Sequence, residues 1–164
     1  MEVSQWAPLT EQILSEMTTN NQNSFVLDGT EHNHYYLASD TILPAVNEKA
    51  TRLNFAKGSE ICLHLNGKSF VSTGDVAIEG AAGKLNIMGS GTVKGNGAAD
   101  SYCSAATLKM ANVGSINLYG GTYEKQTPAA AGTNTVGIGW GGGTVAVYSG
   151  FAGLKVSLSP EKSK

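Results

Sequence analysis

The chain has few of the residue types that reveal a function directly. Only two of its 164 residues are cysteine, and Cys62 and Cys103 form no CxxC pattern, which argues against a disulfide framework and a cysteine zinc site. Charged residues make up 15% of the chain and the net charge is −2, which excludes a basic footprint for nucleic acid or an anionic membrane. No window approaches the ~18 apolar residues of a membrane-spanning helix, so we expect no membrane span.

Glycine is abundant but unevenly distributed. Residues 1–57 contain only Gly29, whereas residues 58–153 contain the other twenty glycines. Within the glycine-rich region, a phrase of alternating apolar residues returns: Leu63–Gly67, Leu85–Gly89, Ile116–Gly120 and, more loosely, Val145–Ser149. Its middle positions lie 22, 31 and 29 residues apart. A phrase repeated at such intervals indicates a solenoid, and its period of two indicates strands rather than helices.

Each later repeat carries two more apolar segments. One precedes the phrase by 8 or 9 residues, as Ile78 precedes Ile87, and the other follows the glycine, as Thr92-Val93-Lys94 does. Glycine suits the corners between these segments because such bends often need a positive φ or close backbone approach. We therefore predict a short parallel β-helix of about four to five coils with three strands per coil.

The N-terminal region predicts a cap for this solenoid. Thr10 precedes a stretch with apolar residues on one helical face and is expected to be the N-cap, with Glu11 in the first turn. An open solenoid end exposes strand edges and core side chains, which a short amphipathic helix can cover. The predicted organisation is a helical cap with the first strands over 1–57, coils over 58–154 and a C-terminal tail or partial cap over 155–164.

Several phrases resemble the right-handed parallel β-helix repeats of large surface proteins in gut-dwelling Firmicutes, which belong with the pectate-lyase-like β-helices. The resemblance covers about residues 33–150 and is carried by four phrases: Tyr35-Tyr36-Leu37 with Asp40, Ile61 to Lys68, Gly89 to Val93, and Leu118 to Tyr123. It implies a right-handed β-helix in a secreted or cell-wall-associated protein, as a module of a longer chain.

An enzyme of the same class is the alternative hypothesis. A polysaccharide lyase or glycoside hydrolase needs converging acids and a base, but Arg52 is the only arginine and lies in the predicted cap. The charges of Glu79, Lys109 and Glu124 are interpreted as solvated surface. The pair His32 and His34 lacks a third ligand in reach, so we predict no metal site and no cofactor.

When the repeats are aligned on the glycine that ends each of them, the alignment predicts two outward-facing ladders of side chains. The first contains His64, Asn86, Asn117 and Ala146, and the second contains Asn66, Met88, Tyr119 and Tyr148. Met88, Tyr119 and Tyr148 would form an apolar and aromatic stripe, with Asn86 and Asn117 beside it as candidate ligand-binding residues. Such a stripe suits a polysaccharide or a cell-wall glycan, and equally a protein partner. The alternative interpretation is that like residues stack only because ladders stabilise parallel strands.

The C-terminal third carries no charge from Gln126 to Leu154. An uncharged apolar β-edge invites association, which proteins normally prevent with charge or proline. Trp140 and Phe151 are therefore candidates for self-association at this end. The leading functional hypothesis is a non-catalytic extracellular β-helix module, structural or adhesive, that binds carbohydrate along the Met88, Tyr119 and Tyr148 stripe.

Overall fold

The computed structural model of the chain describes residues 6–17, 24–74, 76–96, 107–111, 114–125, 136–138 and 144–148. These residues form one short helix, α1 (Glu11–Glu16), and fifteen strands. In chain order the strands are β1 (Ala7–Leu9), β2 (Ser24–Leu27), β3 (His34–Leu37), β4 (Thr41–Ile42), β5 (Arg52–Phe55), β6 (Glu60–His64), β7 (Lys68–Val71), β8 (Ile78–Ala81), β9 (Lys84–Met88), β10 (Gly91–Gly95), β11 (Leu108–Ala111), β12 (Ser115–Leu118), β13 (Thr122–Lys125), β14 (Val136–Ile138) and β15 (Thr144–Val147).

The strands build three parallel sheets. A six-stranded sheet has the order β1-β3-β6-β9-β12-β15, a five-stranded sheet has the order β2-β5-β8-β11-β14, and a four-stranded sheet has the order β4-β7-β10-β13. From β2 onward the chain visits the five-, six- and four-stranded sheets in that order, and neighbours within a sheet come from successive turns. The molecule is an all-β parallel solenoid of about four turns with almost no helix, which confirms the predicted solenoid architecture.

The core runs along the inside of the solenoid because alternate residues of each strand point inward. On the six-stranded sheet the inward pairs Ile61 with Leu63, Leu85 with Ile87, and Ile116 with Leu118 are fully buried. Phe25, Phe55 and Phe70 fill the space between the sheets as the largest buried side chains. Each inward residue packs on its equivalents in the neighbouring turns, so the core is one continuous column of side chains.

The N-terminal region contributes strands β1 to β5 to the three sheets, which is more than the sequence indicated, and it also contains the short helix. The predicted N-cap is confirmed, since the backbone N–H of Ile13 donates to Thr10 Oγ1 at 3.2 Å. The helix is only six residues long and ends at Glu16. It adds Leu14 to the buried core. That the helix covers an open end of the solenoid stays a prediction.

Two glycines allow the corner after the six-stranded sheet to be tight. Gly89 has φ +80, and a Cβ there would lie 2.5 Å from Cε1 of His64, whose imidazole covers it. A Cβ on Gly120 would meet the backbone oxygen of Gly89 at 2.6 Å, because the corners of successive turns touch backbone to backbone. Glycine therefore sets how closely the turns approach each other at this corner.

The glycine-based alignment of the second turn was wrong by two residues. His64 pairs with Met88, and Cys62 pairs with Asn86, so His64 belongs to the ladder of Met88 and not to that of Asn86. Asn66 lies beyond the strand, in the corner, with φ 55. The alignment failed because Leu65 continues the apolar alternation and is fully buried, yet it already belongs to the corner.

Candidate ligand-binding face

The outer face of the six-stranded sheet carries three columns of side chains that run along the solenoid axis. The first, the polar column, contains Glu60, Lys84, Ser115 and Thr144. The second, the amide column, contains His34, Cys62, Asn86, Asn117 and Ala146. The third, the aromatic column, contains Pro8, Tyr36, His64, Met88, Tyr119 and Tyr148. The aromatic column has one member from each of the six strands or from the residue directly after it, and none is charged.

Tyr119 and Tyr148 are exposed aromatic members of the column. Their rings stack with centroids 4.4 Å apart and planes 8° from parallel, and they are 49% and 46% exposed. This separation is close to the ~4.8 Å between neighbouring strands, so the rings stack along the solenoid axis. Each ring covers one flat face of the other, and about half of each residue is exposed to solvent. A hydrogen bond with Tyr148 raises the pKa of Tyr119 above its ordinary 10.0.

The structure thus places the three predicted stripe residues on one ladder. The backbone N–H of Tyr119 donates to the oxygen of Ile87, and that of Tyr148 donates to the oxygen of Leu118, which keeps the strand register to the end of the column. Met88 is half-buried beside Tyr119. Tyr148 therefore points outward, where a shift of one residue would have turned it into the core.

His64 lies next to Met88 in the aromatic column, on the neighbouring strand β6, and its neighbours hold it in place. Its Nδ1 accepts a hydrogen bond of 3.0 Å from the backbone N–H of Asn66. The neutral imidazole consequently carries its proton on Nε2, which leaves Nε2–H as the free donor. With its ring lying over Gly89, His64 is fixed in orientation.

Trp6 lies at the end of the face formed by β1. The sequence did not predict its position there. Its ring meets the ring of His34 edge-on at 5.0 Å and that of His64 at 6.0 Å, and it is 38% exposed. Trp6 directly precedes β1, whose Pro8 pairs with Tyr36. The alternation of exposed Trp6 and Pro8 with buried Ala7 and Leu9 is the signal that could have shown this strand.

The two candidate asparagines are hydrogen-bonded within the face and are only slightly exposed to solvent. Asn117 Nδ2 donates to Asn86 Oδ1 at 2.9 Å, and Asn86 Nδ2 donates to Glu60 Oε1 at 3.3 Å. Both amides are only 7% exposed. Asn86 and Asn117 therefore share the predicted ladder but lie beneath their neighbours, and the surface beside them is formed by the aromatic column.

The polar column carries one ion pair. Lys84 Nζ lies 3.0 Å from Glu60 Oε1, and both side chains are about half-exposed. This hydrogen-bonded pair lowers the pKa of Glu60 and raises that of Lys84. The charges compensate each other, so the six-stranded face presents no net field to a charged ligand from this column.

On the five-stranded sheet the interpretation of Glu79 as solvated surface was wrong. Glu79 is 8% exposed, and its two carboxylate oxygens contact Arg52 Nη1 and, at 3.3 Å, Lys109 Nζ. Arg52 lies in β5, where it reaches a carboxylate of the next turn. Glu124 is on the four-stranded sheet and pairs with Lys94 at 3.1 Å. These carboxylates lie on different sheets and are each engaged by a cation.

Some predicted features lie outside the described residues, namely Trp140, Phe151, Cys103 and the tail over 155–164. Within the described ranges, no three His, Cys, Asp or Glu side chains gather as a metal site would require, and Cys62 is a free thiol. No helix in the described stretches of the chain has the length and apolar character to cross a membrane.

Comparison of this chain with protein-family models, curated proteins and solved structures finds no match.

Proposed function

We propose that the chain is a non-catalytic extracellular β-helix module that binds an extended polysaccharide along the aromatic column. The proposal includes a right-handed solenoid with three strands per coil and a helical cap, as in pectate-lyase-like surface proteins. In such a protein the module serves as a rigid structural or adhesive element. The observation that carries the binding proposal is the exposed, stacked pair of Tyr119 and Tyr148 at the end of an uncharged column.

The chemistry of the column favours a ligand rich in hydroxyl groups. Tyr36, Tyr119 and Tyr148 each carry a phenolic hydroxyl, and His64 carries a free Nε2–H, so four of the six positions combine an apolar body with a hydrogen-bonding tip. A sugar chain combines apolar C–H surface with hydroxyls in the same way. Because each tyrosine ring covers one face of the other, we expect hydrogen bonds and edge contacts to contribute more than face-on stacking.

The dimensions of the column favour a ligand that lies along the solenoid axis. Its six positions span five strand spacings, about 24 Å at ~4.8 Å each. A pyranose unit of an extended chain advances by about the same distance, so each sugar meets one side chain of the column. The absence of charge from all six positions disfavours nucleic acid and strongly charged polymers.

The carboxylate of Glu79 supports the enzyme alternative less than it supports a non-catalytic module. Glu79 is buried between Arg52 and Lys109, which hold it as a structural ion pair rather than as a free acid or base.

Self-association through Trp140 and Phe151 also belongs to the proposal. Light scattering tests it, since a charge introduced in β15 by Ala146→Glu should reduce the size of any assembly.

The experiment is a binding screen against plant, host and microbial glycans with three proteins. We expect the wild type to bind selectively and the Tyr119→Ala/Tyr148→Ala variant to lose at least about tenfold in affinity. Ile42→Ala is the matched control, because Ile42 is an exposed apolar residue on the four-stranded sheet. Near-UV circular dichroism confirms folding of each variant. No binding across the panel, or equal losses in both variants, would contradict the proposal.

A further inference from the structure

The stacked pair of Tyr119 and Tyr148 holds two phenol rings within reach of each other. The centroids are 4.4 Å apart, the planes are 8° from parallel, and close to half of each side chain is exposed. Among the described residues this is the one ring contact between two tyrosines. Tyr123, the nearest tyrosine in sequence, is 7% exposed and donates its hydroxyl to the backbone oxygen of Gly120 at 2.7 Å.

We infer that Tyr119 and Tyr148 are an oxidative cross-linking site, at which a one-electron oxidant such as a haem peroxidase with hydrogen peroxide joins the two rings as dityrosine. Each phenol gives up one electron and one proton, which leaves two phenoxyl radicals. A carbon–carbon bond then forms between the ring carbons next to the hydroxyls, and the two hydrogens on those carbons move to the phenolic oxygens. One hydrogen peroxide accepts the two electrons and two protons and becomes two waters.

The fold favours this coupling over reaction between molecules. The β12 and β15 strands are hydrogen-bonded neighbours, so the rings are held side by side at an effective concentration far above that of dilute protein. Because both residues are close to half-exposed, an oxidant can take an electron from either ring without opening the core. For the same reason, water can take up the proton that each phenol releases as its electron leaves.

The cross-link would join two turns of the solenoid. It closes a loop between residues 119 and 148 and ties β15 to its neighbour β12, β15 being the last strand of this sheet among the described residues. Closing a loop of this length removes conformational freedom from the unfolded chain, so the midpoint of urea unfolding should rise. This inference concerns a modification and does not depend on whether the column binds a glycan.

The test treats the dilute folded chain with peroxidase and hydrogen peroxide, followed by trypsin and mass spectrometry. Tyr119 lies in the tryptic peptide 110–125 and Tyr148 in the adjoining peptide 126–155. The cross-linked product has the summed mass of the two peptides minus two hydrogens. A peptide left uncleaved at Lys125 instead has the summed mass minus one water, so its mass distinguishes it from the cross-linked product. We expect this product in the wild type and in Tyr36→Phe, the matched control from the same column, and its loss in Tyr119→Phe and Tyr148→Phe.

Two further preparations keep the inference falsifiable. A thiol can reduce a phenoxyl radical, so Cys62→Ser/Cys103→Ser is oxidised in parallel with the wild type. A sample in concentrated urea should give at least about tenfold less of the 119–148 product, because the strands no longer hold the rings together. Absence of the product from both folded preparations, an equal yield in urea, or a predominance of cross-links between molecules would overturn the inference.

Discussion

Replacing the buried Glu79 by alanine should destabilise the solenoid far more than removing an exposed carboxylate. Glu79 is 8% exposed and bridges Arg52 and Lys109, which lie on the turns before and after it. Its loss leaves two partly buried cations facing each other without a counter-charge. Breaking a fully buried pair costs about 3–5 kcal/mol. Arg52 and Lys109 are 32% and 21% exposed in their side chains, so solvent reduces the expected cost to about 2–3 kcal/mol.

Urea unfolding at neutral pH measures this cost as the change in midpoint multiplied by the slope. Glu124→Ala is the matched control, because Glu124 forms a single ion pair with Lys94 in which both side chains are about half-exposed. We expect the control to lose about 0.5 kcal/mol or less. If Glu79→Ala stayed within that range, the buried bridge would not contribute to holding the turns together.

The remaining predictions concern a corner, a phenol and a carboxylate. Gly120→Ala should cost about 1–3 kcal/mol in urea unfolding, because its Cβ would meet the backbone oxygen of Gly89 at 2.6 Å; an unchanged midpoint would refute that close approach. In Tyr148→Phe the phenolate absorbance of Tyr119 should titrate at lower pH, nearer 10.0, since the hydrogen bond that raises its pKa is lost; an unmoved titration would refute this. A backbone N–H holds the pKa of Asp40 below 3.8, so its contribution to stability is present above that pH and lost as pH falls through the lowered pKa. Asp40→Asn should therefore lose less stability than the wild type across this acidic window in pH-dependent unfolding.

Much of the solenoid could be predicted from the sequence because its core strands repeat. The alternation of Ile61 and Leu63, and of Leu85 and Ile87, indicates parallel strands with one buried face, and the sheets have that arrangement. The register was harder to predict. Leu65 is apolar and buried like a strand residue, but it lies in a corner, and periodicity alone does not separate the two environments.

The face was predicted only where the repeats are regular. Met88, Tyr119 and Tyr148 lie at or directly after the ends of their strands, so their common direction follows from the alternation. Trp6 was missed because β1 is a three-residue edge strand that contains a proline and precedes a helix signal. The bridge at Glu79 could not be found either, because it joins residues from three turns whose register only the structure defines.

The measurement that tests the account most directly is the affinity of the chain for a length series of an oligosaccharide identified in the screen. We predict that affinity rises with each added sugar until the ligand spans about six strands, ~24 Å, and that Tyr36→Ala/His64→Ala weakens long ligands but not short ones. A plateau at two or three sugars with no effect of that variant would confine the site to the tyrosine pair. No dependence on length or on either pair of substitutions would contradict a binding column along the solenoid axis.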